Sequence, residues 1–194
     1  VITMSTAGGA FAERLIADEN SSIPLLTGLN YAQGAGFMVT YGTSYHALKQ
    51  VANLKKNETI LVLGAAGGVG VTAIEIAKSM GAKVIALDIS PERLEMATAF
   101  GAAEIINASS NDPVSAIREL THGEGAHKTL EASSAPSARQ AAVQAVRSWG
   151  VACFVGERGN VALDVSPDLL RRQVTLLGSW TFSTQGQSDC AEFV

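Results

Sequence analysis

Cysteine, histidine and proline are scarce here: two, three and five residues in a chain of 194. Cys153 lies inside the apolar run Val151-Ala-Cys-Phe-Val155 and reads as a small buried hydrophobe. His46, His122 and His127 are scattered, with no pair at i, i+4 and no Cys or His at ligand spacing from either cysteine. A metal site made by this chain alone is therefore not expected, zinc included. Positive charge is also thin. Fourteen Lys and Arg stand against eighteen Asp and Glu, for a formal net charge of −4 without a basic cluster, which argues against nucleic acid and anionic membrane as partners. No apolar run approaches the ~20 residues a bilayer-spanning helix requires. The opening Val-Ile-Thr-Met-Ser lacks the basic region and apolar core of a signal peptide. A cytoplasmic location is the expectation.

What is abundant points to a buried parallel sheet. Hydrophobic residues make up 47%, charged ones 16%, and glycine occurs 19 times, a composition suited to an α/β protein. The length suits one domain, or one domain plus a fragment of another. The chain is organised around residues 58–78. Ile60 to Leu63 is a short apolar run of the kind a strand covered on both faces requires, and Val71, Ile74, Ile76 and Ala77 continue at helical spacing. Between them stands Gly64-Ala-Ala-Gly-Gly-Val-Gly70. Gly67 and Gly68 allow backbone to approach a pyrophosphate, Gly70 allows helix and strand to pack closely, and the free N–H groups at the helix start favour an anion. Asp88 ends the next apolar run, eighteen positions beyond Gly70, where a carboxylate can accept hydrogen bonds from an adenosine ribose. A phosphate loop of the ATPase type needs Lys then Ser or Thr after its last glycine, and Val71 stands there instead.

Taken in order, residues 1–24 have a different texture from the rest and read as a strand or two with turns, too little to fold alone. Residues 25–37 read as a loop and a short helix, and Thr43 as the cap of a helix over 44–52. From Glu58 onward the alternation is regular. Strands are predicted over 60–63, 84–87, 104–106, 128–130, 151–155 and 174–177. Helices are predicted over 68–80, 91–100, 113–121 and 135–146, with another beginning at 189. Ser90 caps the second of these helices and Pro91 takes its first position. Such alternation predicts a doubly wound parallel sheet of about six strands, the Rossmann arrangement, with its ligand crevice at the carboxyl ends of the strands.

The residues also resemble a known family. Residues 39–49 (Val-Thr-Tyr-Gly-Thr-Ser-Tyr-His-Ala-Leu-Lys), the loop Gly64 to Gly70 and residues 77–85 are similar to the zinc-independent quinone oxidoreductase branch of the medium-chain dehydrogenase/reductase superfamily. Residues 87–94 and 178–183 look more like its zinc alcohol dehydrogenase branch. The resemblance covers nearly the whole chain. It implies an NAD(P)-binding domain of an oxidoreductase acting on a quinone, conjugated carbonyl or alcohol/ketone. Residues 1–24 become the end of an upstream catalytic (GroES-like) domain, and 25–194 the dinucleotide-binding domain, cut short at its C-terminus.

By position, the resemblance implies that Gly64, Ala66, Gly67, Gly68, Val69 and Gly70 cradle the pyrophosphate and that Asp88 holds the adenosine ribose. Asp88 favours NAD over NADP, because a 2′-phosphate beside a carboxylate is repelled, and Arg93 one turn later can soften that choice. Thr43, Val155 and Gly156 are implied beside the nicotinamide. Independently of the resemblance, Tyr41 reads as lying on the loop just before a helix, where it can meet substrate. Val39 occupies the place of a zinc-binding cysteine in the other branch. Residues 174–177 with Trp180 form an apolar sheet edge, which implies a homodimer.

Other readings remain open at this point. The chain could be a catalytically silent nucleotide-sensing or dimerisation module. Tyr45-x-x-x-Lys49 mimics the short-chain dehydrogenase pair, but it precedes the glycine loop, so Tyr45 reads as core and Lys49 as surface. Methyl transfer would need an aromatic or acidic motif where Glu131-Ala-Ser-Ser134 stands.

Overall fold

The computed structural model describes residues 1–5 and 8–194. Strands β1 (Ile2–Thr3) and β2 (Ser22–Ile23) pair antiparallel as a separate ribbon. Helix α1 (Tyr31–Tyr45) follows and continues as a π-helical segment over His46–Val51. Then come β3 (Thr59–Leu63), α2 (Gly68–Ser79), β4 (Lys83–Asp88), α3 (Pro91–Phe100), β5 (Glu104–Asn107), α4 (Pro113–Leu120), β6 (Ala126–Glu131), α5 (Pro136–Ala145), β7 (Val146–Phe154), β8 (Thr175–Gly178) and α6 (Thr184–Phe193). The six long-sheet strands lie in the order β5-β4-β3-β6-β7-β8, all parallel. The doubly wound sheet expected from the glycine loop and the alternation is thus the observed architecture. Connections reverse direction between β3 and β6, which opens the crevice at their carboxyl ends.

Alternation along each strand sorts side chains to two faces. Ile60, Val62, Val84, Ala86, Leu130 and Cys153 meet α1, α2 and α3, whereas Leu61, Leu63, Ile85, Leu87 and Ile106 meet α4 and α5. Leu48, Ile60, Leu61, Leu63, Ile74 and Ile85 are fully buried, each contributing about 1.5–3 kcal/mol of apolar transfer. Ile2 and Ile23 join the first of these cores, so the short ribbon is seated on the main body. Cys153 and Cys190 are both buried, and burial pushes each thiol up to about 12.

The region before β3 departs from the sequence-based expectation. Helix α1 starts at Tyr31, where Asn30 accepts from the Gln33 backbone and Gln33 accepts from the Asn30 backbone, each at 2.9 Å. Thr43 therefore lies inside a helix and is not a cap. Glycines 34, 36 and 42 suggest a loop, but two of them are contact points: a Cβ on Gly34 would strike Leu25, and one on Gly42 would overlap Gln187. Tyr41, expected on a loop, is also helical. Strand β7 begins five residues earlier than expected, at Val146, and α6 starts at Thr184, capped by Ser183. Tyr45 is buried and Lys49 exposed, as the helical spacing indicated.

Candidate functional site

The loop between β3 and α2 is built from close approaches. Gly64 has φ +73°, and a Cβ there would come within 2.9 Å of the Ser133 backbone nitrogen, so only glycine suits both the conformation and the contact. Gly64 and Ala65 N–H groups both donate to the Leu87 carbonyl, at 3.0 and 3.1 Å. At Gly70 a Cβ would overlap the Gly64 carbonyl oxygen and lie 2.6 Å from the Ala65 carbonyl carbon. Gly67 differs. It caps α2 without a side-chain bond, and a Cβ there would meet only Gly64 O at 3.4 Å. The first turn of α2, Gly68, Val69 and Gly70, presents N–H groups that no intrahelical carbonyl can reach, at the positive end of a 12-residue helix. A phosphate suits that arrangement.

Asp88, the last residue of β4, is 6% exposed. Its Oδ1 accepts from Ile89 N–H at 2.8 Å and Ser90 N–H at 3.3 Å, and its Oδ2 from Ala66 N–H at 3.3 Å, which ties the carboxylate to the glycine loop. These bonds leave lone pairs for hydroxyl donors. Asp88 opens on a cleft of about 680 Å³ that Gly64, Gly67, Arg93 and Ser133 also line. Leu87, Ala108, Val114, Ala138 and Ala141 supply apolar walls, a surface fit for a flat heterocycle.

The structure brings Gly64, Gly67, Asp88 and Arg93 together on this cleft. Ala66 touches it through its bond to Asp88. Gly68, Val69 and Gly70 lie in the adjoining turn. Thr43 is half-buried on α1, next to Ser44, whose hydroxyl donates to the Val69 carbonyl at 2.9 Å. Val155 and Gly156 follow β7 on the other side of the crevice, and both their N–H groups donate to the Glu131 carbonyl, at 2.9 and 3.0 Å. Tyr41 stands apart. It lines a second cavity of about 590 Å³ with Leu26, Leu29, Phe37 and Ala191. Its hydroxyl donates to Glu75 at 2.6 Å, its ring stacks on Phe37 at 5.0 Å, and burial with the Glu75 contact pushes it up to about 12.

One polar cluster escaped sequence reasoning. Glu131, fully buried at the end of β6, accepts through Oε1 from Ser133 N–H, Ser133 Oγ and Ser134 N–H at 2.6, 2.7 and 2.8 Å. Arg139 on α5 approaches its Oε2 at 3.4 Å. The available signal was an acid at the end of a strand, as at Asp88, but Glu131 closes the mixed Ala126-His-Lys-Thr-Leu rather than an apolar run. Among the described residues no three His, Cys, Asp or Glu side chains converge on one point, and Val39 is half-exposed on α1.

Comparisons with known proteins agree with this geometry. The family described as zinc-binding dehydrogenase matches over residues 68–194. An uncharacterised zinc-type alcohol dehydrogenase-like protein of Escherichia coli is 36% identical over 185 residues, 94% of this chain and 52% of the relative. An NAD-dependent alcohol dehydrogenase of Sulfurisphaera tokodaii is 33% identical over 88% of this chain and 49% of its own, and the quinone oxidoreductase of Pongo abelii 29% identical over 95% and 55%. The crystal structure of an alcohol dehydrogenase from Aeropyrum pernix superposes with a TM-score of 0.85 at 25% identity, over 95% of this chain and 54% of that one. The chain spans about half the length of the curated relatives it matches.

Proposed function

The chain belongs to the zinc-binding dehydrogenase family, in the medium-chain dehydrogenase/reductase superfamily, and from that premise we propose that it binds NAD or NADP, preferring NAD. The proposed reaction of the whole protein is hydride transfer between that cofactor and a quinone, conjugated carbonyl or alcohol/ketone. One observation carries the reading: the open face of Gly67, the N-cap of α2, stands beside Asp88 on a single cleft, with the free first turn of α2 directly following it.

In this reading the α2 first turn binds the pyrophosphate, and Asp88 accepts hydrogen bonds from the adenosine ribose. A 2′-phosphate there would face a carboxylate, hence the NAD preference, with Arg93 as the cation among the described cleft residues able to offset it. The bound cofactor supplies the hydride. Thr43, Val155 and Gly156 flank its nicotinamide end and keep water from it. Tyr41 has its hydroxyl committed to Glu75, so the proposal gives it no proton transfer at neutral pH.

Residues 1–24 are assigned to the end of a catalytic domain and 25–194 to the dinucleotide-binding domain. Holding a substrate requires walls on its second side, so these 194 residues are proposed to bind cofactor with little turnover. The homodimer is proposed through β8 and the residues just after it, where Leu176 in the strand and Trp180 beyond it are 37% and 65% exposed. No helix among the described residues is long and apolar enough to cross a membrane, which suits the proposed cytoplasmic location.

The test is NADH absorbance on addition of a benzoquinone, an enone or an aldehyde to the purified chain. Saturable cofactor binding with slow oxidation is expected. A folded chain that neither binds nor oxidises NADH would contradict the proposal.

A further inference from the structure

Three segments of the crevice meet at one buried ion pair. Glu131 Oε1 gathers the 132–135 loop through the two serine N–H groups and the Ser133 hydroxyl. Glu131 Oε2 faces Arg139 Nε, and Arg139 reaches past it: Nη2 donates to the Gly156 carbonyl at 2.6 Å. The guanidinium carbon also sits 6.0 Å from the Phe154 ring centroid, so the fork is wedged between the end of β7 and the carboxylate. Glu131 is fully buried and Arg139 7% exposed, which makes the pair costly unless every donor and acceptor is used. Packing leaves no slack there. A Cβ on Gly156 would come within 2.8 Å of both Glu131 Oε2 and Ser134 Oγ.

We propose that Glu131 and Arg139 are positioning residues that clamp the 155–156 segment to the 132–135 loop and so set the width of the crevice at its nicotinamide end. The proposal rests on the dinucleotide reading for its ligand. The loop lies under the cleft that Asp88 shares, whereas Gly156 lies across the switch point from it, on the side a nicotinamide takes when adenosine is at β4. The two halves of the clamp are separable. Lysine in place of Arg139 keeps a charge for Glu131 but not the planar fork that serves two acceptors at once. Arg139→Lys therefore frees the Gly156 carbonyl and leaves the bonds from Ser133 and Ser134 intact.

The test is titration of the purified wild-type chain and Arg139→Lys with NADH and with AMP, together with amide hydrogen exchange of both proteins without ligand. The expected result is at least fivefold weaker NADH binding with AMP affinity held within twofold. The Gly156 amide should exchange at least tenfold faster while Ser134 stays protected. Equal losses for NADH and AMP, or NADH binding unchanged within twofold, would overturn the clamp. If Arg139→Lys does not fold, Glu131→Gln/Arg139→Met replaces it: it strands no charge, keeps an acceptor for the serine loop, and must show the same split. A wild-type chain that binds neither nucleotide sinks the dinucleotide reading instead, and exchange then decides the clamp. Faster Gly156 exchange beside a protected Ser134 supports it; both unchanged, or both faster, overturns it.

Discussion

Ser134 holds φ at +68°, a left-handed conformation that an L-residue with a Cβ adopts at a cost of about 1–2 kcal/mol. It does so because Glu131 pulls on both serine N–H groups of the loop. Glycine would relieve that strain, less the entropy it adds to the unfolded chain. Ser134→Gly is therefore expected to stabilise the fold by up to about 1 kcal/mol. Thermal unfolding checks this, and a lower Tm would contradict the strain argument. Tyr41 gives a second residue-scale prediction. Its folded-state value, about 12 against an ordinary 10.0, is raised by burial and by Glu75. A raised value favours the neutral hydroxyl in the fold, so its stabilisation is complete below pH 10.0 and is lost as pH rises through about 12. Tyr41→Phe should show a shallower loss of stability across that window in denaturant titrations. An identical alkaline limb would contradict the assignment.

At the scale of elements, the β3–α2 turn separates folding from binding within four residues. Gly70→Ala places a methyl group on the Gly64 carbonyl oxygen and beside Ala65, backbone that cannot yield cheaply, and overpacking of this kind costs about 1–3 kcal/mol. Gly67→Ala meets only Gly64 O at 3.4 Å. Its stability should stay within about 0.5 kcal/mol of the parent, as for surface changes, while a methyl on the face where a phosphate would rest should weaken NADH binding at least about tenfold, or 1.4 kcal/mol. Urea unfolding and titration of the two variants read these outcomes, and equal behaviour would contradict the division of labour.

The same turn was legible in the sequence because its signals are local: an apolar run, four glycines in a seven-residue loop, a helical stripe and an acid at the end of the next strand. Helix α1 was not. Its glycines look like loop punctuation until Leu25 is seen to fill the space at Gly34, and Gln187, 145 residues after Gly42, the space at Gly42. The Glu131–Arg139 pair was illegible for a related reason. Its meaning depends on the Gly156 carbonyl, which the sheet brings alongside from the next strand.

For the molecule as a whole, the parallel sheet places two carboxylates, Asp88 and Glu131, at the ends of strands on opposite sides of β3. One faces a cleft; the other is spent on internal bonds. That asymmetry leaves the crevice acidic at its Asp88 end and internally bonded at its Glu131 end, on a body whose net charge is −4. In the proposed reading cofactor choice is a property of Asp88 more than of overall charge, since the Debye length at physiological salt, about 8 Å, screens distant groups. The decisive measurement is calorimetric titration of the purified chain with NADH and NADPH in parallel at fixed moderate salt. Saturable binding of both is expected, with NADH at least several-fold tighter. Tighter NADPH binding, or no binding of either by the folded chain, would contradict it.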